Sequence, residues 1–398
     1  MWCLDHKGLF VLSFFAVYAF GLNVFPITLI IASLYVFCLP FLFLSIPLYN
    51  KGQLYGKLLI LLSLFLFINE IGCKWNRGQD IMVAYSGTEM KNFMMLNVYF
   101  ILLHIRCSVK SIEKFLLYFS IFFCAVYIIQ YFIYPSEIIR GLENAEYMTE
   151  NGVIRIRLFG QLMSPLAIFM GINKYLQNRR YIYVCQSILG FVVILMLGFR
   201  TQIAVLILCL LFGFYRMYGF SGKTLKILLL GGVVLLVLFI YVPFVYDAVM
   251  IMIERNNNDQ SFSNSDYIRI LNFNYFTTNF WNNNWEMIMG AGLPGDIGHY
   301  GNFIDKLKTQ GFIFADWGLI GLSWVAGIPV ALLLILILLK GIILKLPNGA
   351  VYVSMTFLFL ILGSILSREV YRIGNMYLLG ILLVLHEKIY KSLNINKE

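Results

Sequence analysis

The chain has 398 residues, 60% of them hydrophobic and 13% charged, with a formal net charge of +10. Soluble domains are nearer roughly 45–50% apolar and about 25% charged. The charged residues here are too few to clothe a globule of this size, which excludes a water-soluble fold. The composition predicts an all-α polytopic integral membrane protein, in which a positive excess reports topology rather than nucleic-acid binding.

A span needs about 20 apolar residues. Taken between charged breaks, the apolar runs give twelve transmembrane helices, at roughly 8–22, 24–48, 54–71, 92–106, 112–134, 157–176, 181–199, 200–217, 225–246, 312–339, 347–366 and 370–386. The fourth and twelfth are short. The organisation is then 1–246 with spans one to nine and a smaller outer loop at 135–156, a large outer loop at 247–311, and 312–398 with spans ten to twelve. The first run follows Lys7 without a small-residue cleavage site, so it reads as a span rather than a signal peptide. The seven cysteines are scattered, with no C-x-x-C spacing, and read as small buried apolar residues.

Alternation from a cytoplasmic N-terminus puts 17 cations and four acids inside, a net of +13, and 13 cations and 16 acids outside, a net of −3. That asymmetry supports an even span count and places both termini in the cytoplasm. Inside, 13 of the 17 cations are Lys; outside, nine of the 13 are Arg. Lysine suffices for topology, whereas the planar guanidinium suits bidentate phosphate binding. The outer side thus suits a phosphorylated, membrane-bound ligand, with lipid headgroups as the ordinary alternative.

Of the outer segments, 135–156 carries Glu143, Glu146 and Glu150 at helical spacing, as a solvated amphipathic helix would. The segment 247–311 is too long for a plain connection. It is too rich in aromatics for disorder, and it holds eleven asparagines. Amides donate and accept together, and aromatic faces stack on sugars, so this loop suits a carbohydrate unless its aromatics form its own core. Gly290-Ala-Gly292-Leu-Pro-Gly295 fits G-x-G-x-x-G, but without a βαβ context it reads as a tight turn.

Two charged positions are hard to explain as solvated surface. Arg200 lies in the tight hairpin between spans seven and eight, at the membrane edge, where a charge is costly and usually has a task. Asp316 stands among apolar residues at the outer end of span ten, where burial would raise its pKa toward that of a general base. Arg368 and Arg372, at i and i+4, share a helix face if span twelve begins there, and Arg155 and Arg157 lead into span six. Together these predict a basic, membrane-level pocket for a diphosphate. Of the histidines only His299 falls in an outer loop, and neither a catalytic triad nor a metal motif can be assembled.

In order along the chain, Arg157-Leu-Phe-Gly160…Pro165-Leu-Ala167, Arg200 after a glycine, Arg269 with Trp285…Gly290-Ala-Gly292, and Phe314-Ala-Asp316-Trp-Gly318…Gly327 resemble the O-antigen polymerase (Wzy) and O-antigen ligase superfamily. The likeness covers the second half by motif and the first half by hydropathy. It implies a GT-C-like, metal-independent glycosyltransferase of the bacterial inner membrane with no cofactor. Its substrates would be undecaprenyl-diphosphate-linked repeat units, polymerised at the periplasmic face, and its expected partner a chain-length regulator. Arg157, Arg200 and Arg269 would bind the diphosphate, with Arg155, Arg368 and Arg372 nearby, and Asp316 would activate the acceptor or position an arginine. Ligases carry His-Asn after the loop's G-x-G; here the segment reads His299-Tyr300-Gly301-Asn302, which favours polymerase and weakens His299 as a base. The rival functions are a lipid-linked oligosaccharide flippase, an O-antigen ligase, a sugar acyltransferase and a non-enzymatic assembly partner.

Overall fold

The computed structural model describes residues 8–9, 12–13, 16, 53–133, 148–150, 153–155, 159–219, 221–222, 268–365, 367–372 and 374–395. The spans expected at 24–48 and 225–246, most of that at 8–22, and the loop stretches 135–147 and 247–267 lie outside them.

The described chain is helical apart from a short antiparallel pair, β1 (Met148–Glu150) and β2 (Val153–Arg155). The helices before it are α1 (Gly56–Arg77), α2 (Ile81–Ser86), α3 (Thr88–Met94), α4 (Val98–His104) and α5 (Val109–Ile133). After it come α6 (Met163–Asn178), α7 (Tyr181–Leu197), α8 (Arg200–Tyr218), α9 (Ile268–Thr278), α10 (Asn284–Met289) and α11 (Gly298–Thr309). A 3₁₀ turn, Phe314–Trp317, leads into α12 (Gly318–Ala326), α13 (Ile328–Ile343), α14 (Val351–Gly363) and α15 (Asn375–Ile395). Among the described residues, Gly56–Arg77, Val109–Ile133 and Thr201–Tyr218 are long and apolar enough to cross a membrane, and four apolar helices are shorter.

The weakest of the expected spans is the best buried. From Met376 to His386 every residue of α15 is buried, so its surface is apolar all round and sealed by α4, α5 and the 95–97 turn. Span ten is not one helix. It breaks at Gly327 into α12 and α13, because the segment before α10's C-terminal glycine crosses there, and Pro329 near the start of α13 suits a fresh helix. Spans four and twelve extend beyond the hydropathy runs, to Thr88 and Ile395 respectively.

At one end of the bundle, Lys174 pairs with Glu113 at 2.6 Å, and Tyr352 donates to the same carboxylate. Asn173 donates to Asn348 O and Lys340 to Leu54 O. Four of the five described cysteines, Cys73, Cys107, Cys124 and Cys209, are buried as the sequence reading expects, Cys185 is exposed and departs from it, and all five are free thiols.

The loop helices α9, α10 and α11 pack their aromatics against those of the 3₁₀ turn and α12. Phe276 stacks on Trp324 at 5.0 Å, with Phe280 and Phe314 against it. Phe276, Phe280 and Tyr300 are buried, so these rings are a core rather than an open sugar platform. Arg77, at the end of α1, anchors the unit: its Nε and Nη2 reach the two oxygens of buried Glu286 at 2.9 and 2.5 Å. The backbone N–H of Asn282 donates to Glu286 as well. Burial also holds the Tyr300 hydroxyl well above its ordinary pKa.

The G-x-G stretch is not a closed turn. Ala291 and Gly292 N–H groups bond to Trp324 and Val325 carbonyls at the end of α12. Gly290 has φ +84, and a Cβ there would lie 2.4 Å from Val325 O and Gly327 N. Only glycine permits both the conformation and the approach.

Candidate active site at the bundle end

Opposite the Lys174–Glu113 end, the turn between α14 and α15 carries a cluster of charged and amide side chains. Its shape follows from local bonds. Ser364 Oγ accepts from Val370 N–H, Ser367 donates to Gly363 O, and Asn375 Nδ2 donates to Glu369 O. Gly374 has φ +82, which starts α15 only at Asn375. Arg368 and Arg372 therefore precede the helix and do not share a helical face, contrary to the i, i+4 expectation. They point to different partners: Arg368 to Glu89 of α3 at 3.3 Å, and Arg372 to Glu369 at 3.2 Å.

Glu369 is the hub. Its Oε1 accepts from Gln202 Nε2 at 3.0 Å and from Ser367 Oγ at 3.4 Å, and pairs with Arg372. Its Oε2 is buried without a hydrogen-bond partner. Gln202 is two residues into α8, whose first residue is Arg200. On the next helix, Asn375 Oδ1 accepts from the Leu162 N–H at the start of α6. The neighbouring Gln161 is buried with neither end of its amide bonded. An unmet buried polar group costs about 1–3 kcal/mol.

Asp316 faces the same turn. It lies half-buried on the 3₁₀ turn, and its charge, with those of Glu89, Arg368 and Arg372, acts on the Tyr371 hydroxyl. That hydroxyl donates to Gly318 O, and Leu319 N–H bonds to Ser364 O. Gly318 makes this contact possible: it has φ +51, and a Cβ would sit 2.0 Å from Ser364 O.

Asp316, Arg368 and Arg372 thus come together from two distant parts of the chain. Arg269 stands exposed in the first turn of α9 and makes no ion pair with a described residue. His299 is exposed at the start of α11. Arg157 and the side chains of Arg155 and Arg200 lie outside the described residues. The expected basic pocket is not basic in its described part: three carboxylates (Glu89, Asp316, Glu369) meet two guanidiniums (Arg368, Arg372). Sequence reading passed over Glu89, Gln161 and Gln202, whereas it offers Glu369 as the ordinary partner of the two arginines, and Arg372 takes it. The available signal was acids and amides at the outer ends of apolar runs, where a polar group is costly. No protein-family profile matches the chain, and no characterised protein matches it.

Proposed function

We propose that this chain is a twelve-span glycosyltransferase of the bacterial plasma membrane, with cytoplasmic termini. It polymerises undecaprenyl-diphosphate-linked oligosaccharide repeats at the outer face, as the resemblance to O-antigen polymerases implies. The observation that carries this reading is the convergence of Asp316, Arg368 and Arg372 with Glu89, Glu369 and Gln202 at one bundle end, around the start of the helix that Arg200 opens. A transferase working on a lipid headgroup needs its chemistry at that level. A flippase needs its charges along a central path, and here α15 fills the centre with apolar side chains.

Two further features support the reading. Among the described residues, the four ion pairs remote in sequence, Arg77–Glu286, Lys91–Asp296, Lys174–Glu113 and Arg368–Glu89, each join residues that charge counting assigns to the same side. In addition, an apolar groove of about 650 Å³ runs between α1 and α2–α3 and is lined by Leu62, Leu66, Tyr85, Met90 and Phe93. It suits part of a polyprenyl chain, and Met90 follows Glu89 directly.

In the reaction, the acceptor sugar hydroxyl gives its proton to Asp316 as its oxygen bonds to the anomeric carbon of the donor. The bond from that carbon to the diphosphate breaks, and the electron pair leaves on phosphate oxygen. Arg200 and Arg157 stabilise the charge growing there. The products are the lengthened glycan on its lipid and free undecaprenyl diphosphate. The test is polymerisation of purified lipid-linked repeats in proteoliposomes. The wild type should give a ladder of chain lengths, Arg200→Ala and Asp316→Asn single repeats only. A full ladder from Asp316→Asn ends its role as base. Transbilayer movement of single repeats by the wild type, with no ladder, replaces the polymerase by the flippase.

A further inference from the structure

The long loop does not stay outside the bilayer. We infer that α10 and the Met289–Leu293 stretch re-enter it, so that the exposed apolar face of α10 (Trp285, Met287, Ile288) lies among outer-leaflet acyl chains.

Two independent depths agree. The helix α13 has 16 residues, about 24 Å of rise, whereas the hydrocarbon core is about 30 Å thick. Its first residue therefore lies about 6 Å beneath the outer boundary if its last lies at the inner one. The loop packs against that buried start: a Cβ on Gly327 would lie 2.4 Å from Met289 O. On α1, exposed Lys74 marks the headgroup level. Asn69, five residues and about 7.5 Å further in, donates through Nδ2 to the carbonyls of Met289 and Val325.

Backbone at that depth survives only if its polar groups are bonded by protein. They are. Ala291 and Gly292 N–H groups bond to α12 carbonyls, Leu293 N–H to Glu70 Oε1 at 2.9 Å, and Gly295 N–H to Gln79 Oε1 at 2.9 Å. Gln79 Nε2 donates back to Leu293 O at 2.8 Å. Asn69 and Glu70, polar residues within an otherwise apolar helix, have this as their task.

The occupant follows from continuity. Ile328, Leu332 and Leu336 recur every four residues along α13 and are exposed, which is a lipid-facing stripe. The helix α10 packs at the top of α13 and α12, and its exposed Met287 (45%) and Ile288 (57%) extend that stripe upward. Trp285 touches α1 at Gly72, with its indole at the level where aromatic side chains gather in membranes.

The experiment places one nitroxide at Ile288→Cys, Leu332→Cys or His299→Cys in the full chain carrying Cys185→Ala. The protein is reconstituted in phosphatidylcholine–phosphatidylglycerol vesicles, and the signal of the unsubstituted background is subtracted. Power saturation compares collision with oxygen, which partitions into lipid, and with a nickel chelate, which stays in water. The oxygen-to-nickel ratio at Ile288 should exceed that at His299 severalfold and fall short of that at Leu332. A nickel-dominated signal like that of His299 puts α10 in water and overturns the inference. Low collision with both reagents means that protein, such as a second copy, covers this face, and overturns it equally. Met287→Cys repeats the measurement should Ile288→Cys fail to fold. The result does not depend on which reaction the protein catalyses.

Discussion

Glu286→Ala should be among the most damaging single changes outside the candidate site. Glu286 is fully buried, and the Arg77 side chain is nine-tenths buried. The carboxylate takes two guanidinium bonds and the Asn282 N–H, and Arg77 Nη2 also donates to Phe280 O at 2.5 Å. Truncation leaves a charge away from water with one carbonyl for company. Breaking such a pair from one side costs about 3–5 kcal/mol, or roughly two to nearly four powers of ten in the folding constant. The assay is unfolding in mixed dodecylmaltoside–SDS micelles followed by tryptophan fluorescence. Arg77→Met with Glu286→Met, which removes both charges and keeps volume, should recover most of the loss. A Glu286→Ala protein within about 0.5 kcal/mol of wild type, or a double variant no better than the single, would refute the account of a buried, mutually dependent pair.

Two further outcomes follow from the cluster. Gly318→Ala should abolish chain extension while leaving the protein inserted, because the new Cβ meets Ser364 O and pushes the 3₁₀ turn bearing Asp316 away from the Arg368–Arg372 turn. Gly222→Ala, which meets nothing within 4 Å, should extend chains as wild type does, and equal activity of the two variants would show that this approach is dispensable. Glu89→Gln removes the charge that Arg368 meets at 3.3 Å and should weaken chain extension, whereas an unchanged ladder would show that this pair is dispensable.

Much of the scaffold is legible in the sequence because hydropathy and charge are long-range averages. The runs behind α1, α5, α7 and α8 need only their own composition to be seen. The failures have local causes. Span ten looks continuous because Gly327 and Pro329 are brief interruptions in an apolar run, and only the crossing of Gly290 reveals the break. Span twelve looks weak because its ends are polar, yet those polar residues, from Asn375 to Glu387, are what its neighbours bind. Arg368 and Arg372 read as a helical pair because their spacing is right. Ser364, Gly374 and Asn375 fold the segment otherwise, through bonds that no periodicity reports.

The preference for arginine on the outer side also acquires a different meaning. It reads first as phosphate chemistry. In the structure Arg77, Arg368 and Arg372 each hold a carboxylate instead, in Glu286, Glu89 and Glu369. The same fork that fits a phosphate fits a carboxylate, and Arg is preferred over Lys for pairs withdrawn from water. A guanidinium already matched to a buried acid offers little net charge to a diphosphate. With three acids to two arginines in the described cluster, the positive charge that a diphosphate requires has to come from elsewhere. Arg200 and Arg157 stand at the right points of the chain, two and four residues ahead of Gln202 and Gln161, near the starts of the two helices that border Glu369 and Asn375. The paired arginines then set the shape of the turn, and the diphosphate falls to Arg200 and Arg157. Loss of Arg200 should therefore stop chain growth more completely than loss of Arg368, whose charge already meets Glu89.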